Sequence, residues 1–335
     1  MKYSKLIQIS SLIALITLAS CGKSASTTAT SSASEDTSTS GTAAVTVTSA
    51  LSSSSSSGTQ SLSMNKSSTF NLMDYLIPKA LASTACPTFA TTSTGCTTSG
   101  GNMWLTYSSC SIGSSAAVWT GVQQLSMSTG SAACGTFPNP GASATLSRQY
   151  VTAASSSYPA AATRVNAAGT AQVIDHSSTN LTNFNGDTIT PIIGTGYGTV
   201  VTFNSSGLRS QINIAQRIYT TGLDHTVVST TPLTITESSG TAATRTINGT
   251  VKVYHNKLKV VATSTFTNVV HSLTCCQPTG GSITTVYSAG GTVSPTNAGL
   301  LVVGKSETLT FTGCGTGTLT ATDGTVTSVT LTSCF

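Results

Sequence analysis

The sequence is 335 residues long, yet only 7% of its residues are charged and only 6% are aromatic. Ordinary soluble domains carry about 25% charged residues, so this chain offers few candidate acids and bases for catalysis. Its net charge of +5 falls to +3 if Lys2 and Lys5 leave with an export signal, and so weak a positive charge argues against a nucleic-acid-binding protein.

Residues 1–20 have the pattern of an export signal. Lys2 and Lys5 precede the apolar run of residues 12–16, and small residues follow it. The run is too short to span a bilayer as a stable helix, which needs about 20 residues. The sequence therefore predicts a signal peptide that is removed from the mature protein.

The four residues Leu18-Ala19-Ser20-Cys21 resemble a lipobox, the motif of bacterial lipoproteins. The resemblance implies that Cys21 becomes the lipidated first residue of the mature chain and anchors it to the membrane. Because Gly22 rather than an aspartate follows the cysteine, the resemblance to proteobacterial lipoproteins also implies export to the outer membrane. The expected location is thus the cell envelope.

Two segments precede the part of the chain that reads as folded. After the lipidated cysteine, residues 21–66 are dominated by Ser and Thr and bury too little apolar surface to offset the entropy of ordering, which predicts a disordered linker. In residues 67–84, Phe70, Met73 and Leu76 fall at helical spacing, and Pro78 interrupts the pattern. We expect a short, broken amphipathic helix there.

Residues 85–335 show no sustained helical period, and short runs rich in Thr, Val and Ile follow one another through turns. Strands that succeed each other through short turns pair antiparallel. The predicted fold class is all-β, a large and mostly antiparallel sheet. A curved sheet, a sandwich and a barrel-like arrangement all fit this pattern, since a sheet of about a dozen strands curls or splits.

Two hairpins are the clearest local predictions. From Thr246 to Tyr254, apolar and polar residues alternate, and His255-Asn256 is predicted as a two-residue turn. Near the end of the sequence, Asp323-Gly324 predicts the turn of another hairpin, whose pairing would place Cys314 beside Cys334.

The cysteine pattern indicates disulfides, because the chain is predicted to be exported and an even number remains after Cys21. Spaced pairs typical of zinc sites are absent from the sequence. Adjacent cysteines bond poorly to each other, so we expect Cys275 and Cys276 each to bond one member of the Cys314/Cys334 pair, with both pairings open. The eight candidates are Cys86, Cys96, Cys110, Cys134, Cys275, Cys276, Cys314 and Cys334.

The sequence contains none of the common catalytic, phosphate-binding or calcium-binding motifs. The two dipeptides Asp175-His176 and Asp224-His225 are the suggestive exception, because a carboxylate can orient a metal-binding imidazole. His176 and His225 are therefore the weak metal candidates. The plainer interpretation places both dipeptides at strand ends. No catalytic residue and no cofactor is predicted.

The C-terminal strings YHNKLKV, LTCCQPTGGSITT, FTGCGTGTLTATDGT and LTSC resemble uncharacterised, exported, β-rich proteins of Gram-negative bacteria. This resemblance implies fold and compartment but no activity. Two function classes follow from the sequence. The first is a non-enzymatic envelope lipoprotein for surface binding, adhesion or scaffolding, with no nucleic-acid partner. The second is an envelope hydrolase or metal-dependent enzyme that uses His176 and His225.

Overall fold

The structure, a computed structural model, describes most of the chain from residue 88 onward. The described residues are 88–91, 102–111, 118–128, 144–156, 158, 160–165, 171–177, 181–190, 197–220, 223–238, 244–272, 275 and 277–330. The predicted signal peptide 1–20, the linker 21–66 and the helix at 67–84 lie outside these residues.

Hydrogen bonding joins sixteen strands of the described chain into one antiparallel sheet, so the all-β prediction is confirmed. A single helical turn, α1 (Asn297–Leu300), is capped by the Thr296 hydroxyl, which accepts from the N–H of Gly299. The strands are β1 (Thr88–Thr91), β2 (Asn102–Ser111), β3 (Val118–Met127), β4 (Ala144–Val151), β5 (Ala161–Val165), β6 (Ala171–Asp175), β7 (Gly198–Phe203), β8 (Arg209–Tyr219), β9 (Asp224–Ser229), β10 (Leu233–Glu237), β11 (Thr244–His255), β12 (Val260–Ser272), β13 (Pro278–Ser288), β14 (Ser306–Gly313), β15 (Thr316–Ala321) and β16 (Val326–Thr330).

The sheet is an up-and-down meander. At three positions in the strand order, two short strands lie end to end where a single long strand would otherwise run. Strands β4 and β5 both pair with β3, β6 and β7 both pair with β8, and β9 and β10 both lie between β8 and β11. The chain leaves the sheet between the two halves of each broken position. The longest of these excursions, residues 176–197, separates β6 from β7, and its described part supplies side chains that cover one face of the sheet.

Alternation of apolar and polar residues decides which face of each strand is buried. In β11, Ile247, Val251 and Val253 are fully buried, whereas the residues between them are partly exposed, as the sequence predicts.

The turn between β11 and β12 differs from its prediction. Residues 256–259 form a four-residue connection, with His255 paired to Val260. Lys259 takes a φ of 57°, so a left-handed residue closes a longer turn than the sequence pattern indicates.

The main core covers one face of the sheet, which we call the inner face, and draws on strands from β2 to β14. A second cluster, around Trp119, Ile174 and Ile218, continues this face at one end. A third cluster lies on the opposite, outer face, where Leu181 and Ile189 of the 176–197 excursion pack on Ala215 and Val228. Each fully buried Leu or Ile contributes roughly 1.5–3 kcal/mol of transfer free energy, so these layers dominate stability.

The final hairpin forms where the sequence predicts it. Strands β15 and β16 pair antiparallel, and Gly324 takes a φ of 81° beside Asp323, whose carboxylate accepts from the N–H of Thr325. Its register differs from the prediction by two residues. Thr316 pairs with Thr330, and Cys314 lies in the turn between β14 and β15 rather than in a strand of this hairpin, whereas Cys334 lies outside the described residues.

Candidate functional site

The two Asp-His dipeptides do lie at strand ends, at the end of β6 and the start of β9. Asp224 forms a two-bond ion pair with Arg217, at 2.7 and 2.8 Å, and also accepts from the Asn256 amide. Asp175 accepts from the N–H and the hydroxyl of Ser177, at 2.8 and 2.6 Å. Both carboxylates therefore fix the backbone and side chains at the ends of their strands.

His176 directly follows β6, at the point where the β6–β7 position is broken. Its Nδ1 accepts from the Tyr150 backbone N–H at 2.8 Å, and its ring stacks on the Tyr150 ring at 4.7 Å between centroids. Since Nδ1 is an acceptor in a neutral imidazole, Nε2 carries the proton and faces Gln216 Oε1 at 3.4 Å. Burial lowers the pKa of His176 to about 4, despite the opposing hydrogen bond to Gln216.

Gly198 makes this arrangement possible on the neighbouring strand. Its φ is 104°, and a Cβ there would lie 2.2 Å from the Arg148 carbonyl oxygen and 3.0 Å from His176 Nδ1. Only glycine, which has no Cβ, allows the start of β7 to pack this closely on the Arg148 carbonyl and the His176 ring. The Tyr107 hydroxyl donates a hydrogen bond to Gln123 Oε1 at 3.3 Å. Burial raises the pKa of the Tyr107 phenol, and burial also lowers the pKa of the Arg148 guanidinium.

His225 lies beside His255 on the adjacent strand β11, as the paired Cα positions of β9 and β11 require. The two ring centroids are 4.1 Å apart at an interplanar angle of 73°, and Tyr287 lies 6.1 Å from His255. Burial, followed by the neighbouring His255, holds the pKa of His225 well below its usual value. Burial lowers the pKa of His255 to about 4, so both rings are neutral at pH 7.

The two predicted metal candidates, His176 and His225, therefore contact different sets of residues. The contacts of His176 run to Tyr150 and Gln216, and those of His225 run to His255. Across the residues that the structure describes, no group of three or more His, Cys, Asp or Glu side chains is placed to hold a metal ion.

A buried ionic cluster lies on the inner face, at the end away from Trp119 and Ile218. We call it the Arg245 cluster; its members are Arg209, Glu237, Arg245 and His271. Glu237 Oε1 accepts from Arg209 Nη1 at 2.6 Å and from Arg245 Nε at 2.8 Å, while Oε2 accepts from the Arg209 backbone N–H at 2.9 Å. All three side chains are at most 7% exposed. His271, the cross-strand partner of Arg245, completes the cluster.

Electrostatics within the Arg245 cluster reflect this burial. Burial alone would raise the pKa of Glu237, but the charges of the two arginines and their hydrogen bonds outweigh it and lower the pKa. Burial and the charge of Arg245 together lower the pKa of Arg209 to about 9. The same two causes lower the pKa of His271 to about 3.

Sequence analysis did not single out this cluster, although the alternation contained a signal for it. Glu237 follows Leu233 and Ile235 at the inward positions of β10, and Arg245 precedes Ile247 at the inward positions of β11. A charged residue at an inward position must be paired, because burying an isolated charge is costly. Two such residues flanking one turn predict a buried ion pair.

Three of the predicted disulfide cysteines are described. Cys275 and Cys314 are bonded, with Cα atoms 5.8 Å apart, which confirms one of the predicted cross-links between the 275/276 pair and the C-terminal hairpins. Cys110 is buried in β2 and is also disulfide-bonded. Cys86, Cys96, Cys134, Cys276 and Cys334 lie outside the described residues, as does the lipidation candidate Cys21.

Non-reducing peptide mapping is expected to join Cys276 to Cys334. With Cys275 bonded to Cys314, this is the remaining member of the predicted pair of cross-links. Replacing both Cys276 and Cys334 by serine should lower the free energy of unfolding by about 4 kcal/mol in the chain-entropy model. Recovery of Cys276 as a free thiol, or bonded to an N-terminal cysteine, would show that this pairing is wrong.

Comparison with known proteins adds no relative: the chain matches no family model, no curated protein and no solved structure. None of the helical segments described is long and apolar enough to cross a membrane.

Proposed function

We propose that this protein is a lipid-anchored lipoprotein of the bacterial cell envelope, displayed on the outer membrane as a non-enzymatic binding, adhesion or scaffolding module. In this proposal Cys21 carries the lipid, residues 21–66 act as the tether, and the antiparallel sheet is the displayed part. The membrane is its partner through the anchor, and the surface ligand is left unassigned.

The observation that carries the proposal is the Cys275–Cys314 disulfide, taken together with the lipobox. Disulfides form and persist in oxidising compartments such as the periplasm and the cell surface and are rare in the cytosol. A cross-link between the start of β13 and the β14–β15 turn thus agrees with export, which the N-terminal pattern independently indicates.

The surroundings of the ionisable groups support a displayed sheet rather than an enzyme. All four histidines are buried, and each has a pKa below its usual range. His176 replaces a strand partner and His225 packs on His255, so both act in holding the sheet together. The exposed positions of β14 to β16 are instead mostly Thr and Ser, which suits a surface that contacts polar ligands.

Fractionation of cells that express the full chain tests the anchor. Wild-type protein is expected in the outer-membrane fraction, released by detergent but not by salt, because a lipid chain inserts by the hydrophobic effect. Cys21→Ala should remain unprocessed and lose incorporation of labelled palmitate, whereas the control Ser20→Ala keeps the cysteine and should behave as the wild type. Recovery of wild-type protein in the soluble periplasmic fraction would overturn the proposal.

A further inference from the structure

One end of the sheet collects most of the exposed, large apolar side chains. Because neighbouring strands run in opposite directions, the β11–β12 turn, the β13–β14 connection and the β15–β16 turn all lie at this end. Five large apolar side chains are exposed in the part of the chain that the structure describes, and four of them lie here. We call this end the apolar end; its members are Val286, Leu300, Leu301 and Val326. Single exposed apolar residues are ordinary, whereas a group of them marks a contact surface.

The backbone holds the two leucines of the apolar end in place. Helix α1 sits on the β11–β12 turn, where the Thr296 N–H donates to the Leu258 carbonyl at 3.0 Å. A Cβ on Gly299 would lie 2.3 Å from the same carbonyl oxygen, so a glycine is needed for this close packing. Leu300 and Leu301 follow directly and are 59% and 67% exposed. Their exposure is thus fixed by the packing of α1.

Lysines flank the two leucines. Four lysines lie in the described residues, and three of them belong to this end. Lys257 and Lys259 lie in the turn that supports α1, and Lys305 follows α1 just before β14. Two leucines that project between lysines have the composition of a surface that enters a lipid headgroup layer.

The acidic side chains of this end lie on other elements. Asp323 is in the β15–β16 turn, and Asp187 belongs to the 176–197 excursion, where it accepts from the Asn183 amide. Glu307 lies on the inner face, at the same side of β14 as buried Leu309. The elements that carry and support the two leucines therefore present lysines and no acid.

We propose that the apolar end binds a bilayer surface that contains anionic lipids. Leu300 and Leu301 enter between the headgroups, and Lys257, Lys259 and Lys305 face the lipid phosphates, so apolar burial and charge attraction act together. A stable protein interface buries about 1,000 Å² or more, which four aliphatic side chains at the end of a sheet do not supply. This contact is made by the folded sheet and does not depend on the lipid proposed for Cys21.

Fluorescence quenching by brominated acyl chains tests the contact, with the full chain mixed with vesicles of phosphatidylcholine and phosphatidylglycerol. Both native tryptophans, Trp104 and Trp119, are buried, so the wild type should show no quenching. Leu301→Trp puts a reporter at the apolar end and should lose fluorescence on brominated vesicles. The matched control is Thr312→Trp, an exposed position near the opposite end of β14, which should keep its fluorescence.

Two changes separate the parts of the proposal. Adding Leu300→Asn to Leu301→Trp should weaken the quenching, because one inserted side chain is lost. Replacing phosphatidylglycerol by phosphatidylcholine should also weaken it, because the lysines lose their anionic partners. Quenching that neither change affects would overturn the proposal. So would equal quenching of Leu301→Trp and Thr312→Trp, or no quenching of Leu301→Trp, the result expected if a protein partner covers this end. The lipid on Cys21 is measured separately by mass spectrometry, so the anchor and this contact can fail independently.

Discussion

Between pH 6.5 and pH 4 the sheet is expected to lose most of its stability and to unfold. The pKa values of His176 and His255 fall to about 4 in the folded protein, and that of His271 falls to about 3. In the unfolded chain these groups titrate near 6.5, so the unfolded state binds more protons throughout this window. Stability is therefore complete above pH 6.5 and falls as the pH is lowered toward the folded-state values.

The expected size of this effect is large. Each such histidine costs about 1.4 kcal/mol per pH unit below 6.5, so by pH 4 the three together remove on the order of 10 kcal/mol. Domain stabilities are about 5–15 kcal/mol, so a loss of this size unfolds the protein. His225 adds to the loss in the same direction, because its pKa is also well below the usual value.

Denaturant unfolding monitored by circular dichroism at several pH values measures this dependence. His255→Phe removes one titrating group while keeping an aromatic ring against His225 and Tyr287, and it should reduce the slope of stability against pH by one proton. Wild-type stability that stays constant from pH 7 to pH 4.5 would contradict the burial of neutral histidines.

Glu237→Gln is expected to produce the largest loss of stability of any single charge substitution in the described sheet, about 3–5 kcal/mol at pH 7. The substitution removes the carboxylate that two buried arginines share, and breaking a buried ion pair leaves uncompensated charge in a low-dielectric environment. The amide is nearly the same size as the carboxylate, so the loss reports charge rather than packing.

Asp224→Asn is the matched control for this prediction. Asp224 also pairs with an arginine, but the side chains of Arg217 and Asp224 are 24% and 18% exposed, so water screens the pair. We expect a loss of about 1 kcal/mol or less, typical of ion pairs near the surface. Equal losses for the two variants in urea-unfolding measurements would contradict the account of the Arg245 cluster.

Most of the strands could be predicted from the sequence because local alternation encodes them. The alternating residues of β11 and the Asp323-Gly324 turn specify a strand and a hairpin without any long-range information. Other strands are interrupted: the chain from Ala161 to Asp175 contains both β5 and β6, and the chain from Asp224 to Glu237 contains both β9 and β10. Such breaks depend on neighbouring strands. For example, the His176 ring replaces a backbone carbonyl as the acceptor for the Tyr150 N–H, and the local sequence pattern contains no signal for this contact.

The side-chain clusters were harder to predict, because they depend on which strands become neighbours. The pairing of His225 with His255 follows from the register between β9 and β11, whereas the sequence draws attention to the similar Asp-His dipeptides at residues 175 and 224. A bond from the Cys275/Cys276 pair to the Cys314/Cys334 pair could be anticipated because adjacent cysteines exclude one another as partners, but the choice of Cys275 for Cys314 could not.

Mass spectrometry of the mature N-terminal peptide tests the central claim most directly, that this sheet is tethered to the envelope by a lipid on Cys21. The account predicts a peptide that begins at Cys21 and carries the mass of a diacylglyceryl group with a further acyl chain. A mature chain that begins at another residue, or an N-terminal Cys21 without lipid, would contradict it.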